Sequence, residues 1–207
     1  MKIIVFGKSG FLASKLRKKF KEKKIKARFI GSEEVNLISS KSCKKLNKIK
    51  ENTTIIFFSA LTPDKGKDTK TFIKNIEMIN NFFQNTNVNY INHFIYISSD
   101  AVYSLKNKYI SETTITNPDD LYGLMHLTRE KICRNNISVD KLLILRPTII
   151  YGKGDTHNSY GPNRFIRQIN KNATISMFGK GKDLRDHLFI EDLIKIINIS
   201  VKVFSSR

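Results

Sequence analysis

Short apolar runs alternate with longer polar stretches along the first 150 residues of the chain. Lys2–Phe6, residues 27–30, 54–59 and 94–98, and Leu142–Leu145 each have the length and composition of a buried strand. Residues 12–23, 41–50, 71–85 and 122–135 lie between them and carry apolar residues at helical spacing. In the third of these segments Phe72, Ile76, Ile79 and Phe83 share one face. Alternating strand and helix predicts an α/β fold with a doubly wound parallel sheet. Ligands of such sheets gather at the carboxyl ends of the strands. The residues to watch are therefore those that follow the apolar runs: residues 7–10, Ser59-Ala60, Ser98-Ser99-Asp100 and Arg146-Pro147-Thr148.

After Pro147 the pattern changes. Residues 151–164 are rich in Gly, Asn and Asp and read as a loop, 165–169 as the start of a helix, 175–178 as a strand and 191–203 as a last helix. The expected division is a nucleotide-binding unit over residues 1–150 and a smaller region over 151–207.

The first strand runs straight into Gly7, Gly10 and Ala13, followed by a basic helical stretch. A strand, a glycine turn and a helix start make the geometry of a dinucleotide-binding βαβ unit. The glycines allow a tight turn and a close approach to a pyrophosphate, which the helix N-terminus holds with free N–H groups and its dipole. The small Ala13 lets helix and strand pack closely. Gly7-Lys8-Ser9 is not a P-loop, because no glycine stands five residues before Gly7.

Composition narrows the class. The 207 residues suffice for one well-buried domain, and 40% hydrophobic content suits a globular protein. No apolar run approaches the ~20 residues of a membrane span, and no leader pattern precedes the first strand, so a cytoplasmic protein is expected. Cys43 and Cys133 are too few for a disulfide framework. His93, His126, His157 and His187 show no metal-ligand spacing, and no metal is expected. The net charge of +19 is spread among Asn and Ile residues over the whole chain, which reads as a bias of composition and not as a nucleic-acid patch.

The candidate chemistry lies later. Residues 94–103 read FIYISSDAVY, a strand ending at paired serines. Tyr122 and His126 stand four apart at the head of a helix and share a face. A tyrosine beside a cationic or proton-relaying residue, with Ser99 opposite, makes a proton-transfer device. The phenol needs a nearby positive charge, such as a protonated His126 or the nicotinamide ring, to act as a base near neutrality.

GKSGFLA at the start, SAL from Ser59, Asn75, SSDAVY, YGLMH, LRPTIIYG and FGKGKDLRDHLFIEDL occur in this order over nearly the whole chain. Together they resemble the extended short-chain dehydrogenase/reductases, in particular the NAD(P)-dependent nucleotide-sugar epimerase/dehydratase family. The resemblance implies a Rossmann-type fold and a nucleotide-sugar substrate. It implies that Ser99 and Tyr122 handle a substrate hydroxyl, with Asp100 and His126 beside them. Gly7 and Gly10 would hold the cofactor pyrophosphate, Lys8, Phe11, Leu12, Ser59, Ala60, Asn75, Tyr122 and His126 would also meet the cofactor, and Asn36 and Leu37 would meet its adenine. Arg185 would reach the diphosphate of the nucleotide sugar, with Asn163 and Arg164 as further substrate contacts.

Three features depart from the family pattern. His126 stands where the Tyr-x-x-x-Lys pattern has its lysine. Asp100 matches the acid of the 4,6-dehydratases, but Ala101 replaces their following glutamate, which disfavours dehydration. The region after residue 150 is shorter than the family's substrate-binding region. Exposure of Ile196, Ile197 and Val201 is expected to favour self-association, for instance as a homodimer. The second strand ends in Gly31-Ser32, with Glu33 and Glu34 just beyond. Ser32 and Lys8 are placed to receive a 2′-phosphate, which leans the cofactor from NAD towards NADP. Two readings follow. One is an epimerase or ketosugar reductase of surface polysaccharide synthesis. The other is a catalytically weak NAD(P)-binding module, with no nucleic acid or membrane as partner in either case.

Overall fold

A computed structural model gives the fold and describes residues 2–155, 161–171, 174–177 and 184–205. Its elements alternate as the hydrophobic pattern requires. They are β1 (Lys2–Phe6), α1 (Phe11–Glu22), β2 (Arg28–Ile30), α2 (Ser40–Cys43), β3 (Thr53–Phe57), α3 (Thr69–Gln84), β4 (Ile91–Ile97), α4 (Leu121–Asn136), β5 (Leu142–Leu145), β6 (Ile149–Tyr151), α5 (Asn163–Asn170), β7 (His187–Phe189) and α6 (Ile190–Ser205).

β1 to β5 form one parallel sheet in the order β2-β1-β3-β4-β5. The order reverses beside β1, so the crevice of this doubly wound sheet opens at the carboxyl ends of β1 and β3. β1 and β3 are buried on both faces, which is why they are continuous apolar runs and not alternating ones. One core layer gathers Phe6, Phe57, Phe82, Phe83 and Phe94 between the sheet and α3. Phe6 and Phe82 meet edge to face at 5.3 Å, as aromatic rings prefer. The opposite layer packs Leu16 and Phe20 of α1, with Ile190, Leu193, Ile194 and Ile197 of α6, against Val5, Ile56 and Ile95.

Asp68 caps α3 by accepting the Thr71 N–H, and Asp120 caps α4 by accepting the Gly123 N–H. Each cap satisfies one of the free donors at a helix start. Three local expectations change. Residues 41–50 form only the single turn of α2 followed by a 3-10 helix over Lys44–Lys48. Residues 149–151, expected to lead into a loop, pair in parallel with β7 as a second small sheet. Ile197 and Val201 are buried, at 0% and 2% exposure, because they continue the face of α6 that packs on α1; Ile196 alone of the three is exposed.

Residues 175–177 have no regular structure, while Phe178, His157 and residues 178–183 of the FGKGKDLRD segment lie outside the described residues. Among the described residues no helix is long and apolar enough to cross a membrane.

Candidate active site

The crevice begins at the turn after β1. Gly7 has φ +100°, and a Cβ there would press within 3.1 Å of the Ser59 backbone nitrogen. The Gly10 N–H donates to the Gly7 carbonyl at 3.0 Å, and Gly10 then caps α1 with no side chain. The first N–H groups of α1, from Phe11 and Leu12 onward, therefore have no side-chain cap and face the carboxyl edge of the sheet. Ala13 is fully buried, so α1 sits tightly on the sheet. This cradle is open because it lacks side chains, and an anionic diphosphate fits it.

Next to it, Lys8 Nζ lies 2.7 Å from Glu33 Oε1. That ammonium holds the Glu33 carboxyl below its ordinary range. The Glu33 carboxylate lies across Gly31, where any Cβ would collide with it. Arg28 pairs with Glu34. Ser32 is exposed at this end of β2. Asn36 folds its side-chain oxygen onto the Ile38 N–H, and Leu37 is buried in the core.

Ser59 and Ala60 follow β3 and are half-buried. Asn75, buried in α3, accepts the Leu61 N–H at 2.8 Å and donates to the Leu61 carbonyl at 3.0 Å. It holds the segment that carries Ser59 and Ala60 in place through both ends of its amide.

Ser99 ends β4. Its hydroxyl donates to Asp100 Oδ1 at 3.1 Å and accepts the Ala101 N–H, capping a 3-10 turn over Asp100–Val102. That turn lies against the head of α4. Gly123 makes the approach, because a Cβ at that position would run into the Ala101 carbonyl and Pro118. Tyr122 is half-buried beside this contact and lines a shallow, open cleft with Leu61, Phe72, Asn75 and Met125. Ser99, Asp100, Tyr122, Asn75 and the Gly7–Ser59 approach thus share one edge of the sheet.

His126 departs from its expected use. It is 3% exposed, and its Nδ1 lies 2.8 Å from the Tyr96 hydroxyl. Burial, reinforced by the Arg129 charge, pushes it down to about 3, so it is neutral at physiological pH. A protonated His126 therefore does not supply the positive charge beside Tyr122: an uncharged imidazole is what a desolvated site permits. Its ring meets the Tyr122 ring edge to face at 4.7 Å.

The segment after β5 treats its expected residues differently. Asn163 is buried and donates to Asp155 Oδ2 at 2.6 Å, while its oxygen accepts the Gly152 N–H. It staples the 152–155 turn, whose Gly154 comes near Phe11 at the start of α1. Arg164 reaches the Ser176 hydroxyl at 2.9 Å. Arg185 is exposed just before β7.

Comparison with known proteins settles the family. The family model described as NAD dependent epimerase/dehydratase matches residues 3–203. The chain belongs to this family. A UDP-glucose epimerase described as uncharacterized, from Bacillus subtilis, is 26% identical over 94% of this chain and 71% of its own length. A dTDP-D-glucose 4,6-dehydratase of Dictyostelium discoideum is 24% identical over 97% of this chain and 55% of its own length. The solved UDP-glucuronic acid 4-epimerase of Bacillus cereus, in complex with UDP-glucuronic acid and NAD, is similar in fold, with a TM-score of 0.75. That likeness covers 97% of this chain and 73% of that one, at 21% identity.

Within this epimerase/dehydratase framework an ion pair with a buried carboxylate and a part-buried guanidinium ties the site together, and sequence reasoning does not reach it. Arg146, at the end of β5, contacts both carboxylate oxygens of Glu130, at 2.9 and 2.6 Å, and donates to the Tyr103 hydroxyl. The Ser98 hydroxyl donates to the same carboxylate at 2.6 Å. Glu130 stands eight residues after Tyr122, on the inner face of α4, and that spacing is the only signal the sequence holds. The pair locks the ends of β4 and β5 to α4 and so fixes Ser99 relative to Tyr122.

Proposed function

We propose that this chain acts on a nucleotide-linked sugar, as an epimerase or a ketosugar reductase, with a nicotinamide dinucleotide in the crevice at β1 and β3. Surface polysaccharide synthesis is the expected setting. The observation that carries the reading is the shared sheet edge. The side-chain-free cradle at Gly7 and Gly10 and the Ser99–Tyr122 pair stand on it together, separated by the Ser59-Ala60 segment.

In this reading Gly7, Gly10 and the start of α1 bind the diphosphate of the dinucleotide, which supplies the hydride acceptor or donor when bound. Ser99 orients a sugar hydroxyl by hydrogen bonding. Tyr122, as phenolate, takes the hydroxyl proton while hydride leaves the same carbon, giving a ketosugar; reduction runs the same steps backwards. Residues 1–150 hold the cofactor and the region from 151 faces the sugar, with the half-buried Arg164 and the exposed Arg185 as cations for its diphosphate.

The adenosine end favours NAD in this reading. Sequence leans to NADP through Ser32 and Lys8, but Lys8 is bound by Glu33, whose carboxylate covers Gly31. A 2′-phosphate would have to break that ion pair and lie beside the freed carboxylate, whereas a ribose diol can donate to it.

A panel of nucleotide sugars with each dinucleotide, read by nicotinamide absorbance and product mass, tests the proposal. Tyr122→Phe is expected to lower turnover by about a hundredfold or more. A Phe variant that keeps most of a measurable parental turnover would overturn the mechanism. The weak-binding-module reading rests on the neutral, buried His126. It is favoured if the dinucleotide binds and no sugar on the panel turns over.

A further inference from the structure

We infer that the work of the lysine in the Tyr-x-x-x-Lys pattern is divided here between two residues. His126 holds a hydrogen-bond donor at that position, and Arg129, one turn further along α4, supplies the positive charge. The inference rests on the dinucleotide reading above.

Arg129 is fully buried, with 0% exposure. Its Nη2 donates to the Ser59 carbonyl at 2.7 Å, at the end of β3 where the cofactor is proposed to lie. Its guanidinium stands 5.2 Å from the centre of the Phe57 ring and 5.3 Å from that of Tyr96. Among the described residues no carboxylate lies within ion-pair distance of it, and its Nε has no partner. The adjacent Glu130 is occupied by Arg146 and Ser98. A guanidinium stays charged in proteins, and burying one without a counter-ion is costly. Aromatic faces, one carbonyl and the Met125 thioether, 3.8 Å from Nη1, offset only part of that cost. A leucine or methionine would fill the same space without it. What a bare buried cation offers is a field, and the group nearby that must lose a proton is the Tyr122 phenol.

The contacts between them are continuous. The Tyr122 ring touches the His126 ring, His126 Nδ1 bonds the Tyr96 hydroxyl, and Arg129 lies over Tyr96. The Arg129 charge is felt at both His126 and Tyr96, and Tyr96 is also coupled to Tyr122. Burial pushes the Tyr96 hydroxyl well above its ordinary value, so it keeps its proton and donates to His126 Nδ1. The neutral imidazole then carries its proton on Nε2, which is buried and without a partner. That N–H is the donor left for a ribose hydroxyl of the dinucleotide. The other groups around Tyr122 are Lys67 and Asp68 across the cleft, Asp100 in the turn against α4, and Glu130, whose charge Arg146 neutralises.

The test uses the 207-residue chain with tyrosine labelled at Cζ, following Tyr122 by NMR against pH and assigning its signal with Tyr122→Phe. Arg129→Met is expected to move the Tyr122 titration up by about one pH unit, a tenfold change. Arg129→Lys should leave it close to the parent. His126→Ala should leave it close to the parent too, but weaken NAD binding about tenfold by calorimetry. If the Met variant does not fold, Arg129→Gln against Arg129→Lys compares two hydrogen-bonding side chains that differ in charge. An unmoved Tyr122 titration in a folded Met or Gln variant overturns the assignment of charge to Arg129. Unchanged NAD affinity in His126→Ala overturns the assignment of the donor. A parent that binds no dinucleotide refutes the functional reading instead, and leaves the Tyr122 titration readable.

Discussion

The Tyr96 hydroxyl stands 2.8 Å from His126 Nδ1, and this buried contact between β4 and α4 sets the character of the site. It turns the residue four positions after Tyr122 inward, away from solvent and into a desolvated cluster with Arg129. A histidine held there is a neutral donor, where an exposed one would be a charge that comes and goes.

The first consequence is a pH dependence of stability. His126 is pushed down to about 3 and His93, also buried, to about 4, against an ordinary value near 6.5. In the window between these values the unfolded chain binds the extra protons. The contribution is therefore complete above pH ~6.5 and is lost as pH falls, by up to about 1.4 kcal/mol per unit for each histidine. Urea unfolding at pH 7 and pH 5 should show a clear loss at pH 5, reduced in His126→Gln. Equal stability at the two pH values would contradict the burial argument.

The Glu130 carboxylate is buried although Arg146 is only part-buried, so removing the cation should act as breaking a buried ion pair does. Arg146→Met leaves the Glu130 carboxylate without its cation and should cost about 3–5 kcal/mol. The double variant Glu130→Leu/Arg146→Met should recover a large part of that loss, because no charge remains stranded. A single variant within about 0.5 kcal/mol of the parent would show that the pair is not what joins β4, β5 and α4.

Gly123 carries a steric prediction. Any Cβ there meets the Ala101 carbonyl, so Gly123→Ala must push α4 away from the turn that follows Ser99. The expected cost is about 1–3 kcal/mol, with turnover falling more than dinucleotide affinity, since the cradle at Gly7 is untouched. Loss of affinity without loss of turnover would reverse the assignment.

Much of the fold is legible in the sequence, for physical reasons. Strands buried on both faces must be apolar runs, and Leu142–Leu145 is readable to the residue because charged Lys141 and Arg146 flank it. The glycine turn and the Tyr122 helix are legible because local geometry dictates their residue types. The β6–β7 pairing is not, since three-residue strands joined across 35 residues leave no periodic trace. Nor is Arg129: an arginine on a helix normally reads as surface. Only tertiary packing shows that Phe57, Tyr96 and the Ser59 carbonyl enclose it. The local sequence around His126 likewise gives its spacing from Tyr122 and says nothing of the Tyr96 hydroxyl waiting on β4.

Glu33 should decide between the two dinucleotides. Glu33→Gln removes the carboxylate that binds Lys8 and frees that ammonium for a 2′-phosphate. The ratio of NADP to NAD affinity is expected to rise about tenfold, close to 1.4 kcal/mol. An unchanged ratio would place the ribose elsewhere.

The central claim is that a nicotinamide dinucleotide lies on the bare turn between β1 and α1. Calorimetric titration of the parent chain and of Gly10→Val with NAD tests it most directly. A branched side chain at Gly10 stands where the diphosphate must approach the first N–H groups of α1. The parent should bind saturably, and the folded Val variant should bind at least about tenfold more weakly. No saturable binding by the parent, or equal affinity in a folded Gly10→Val variant, would contradict the account.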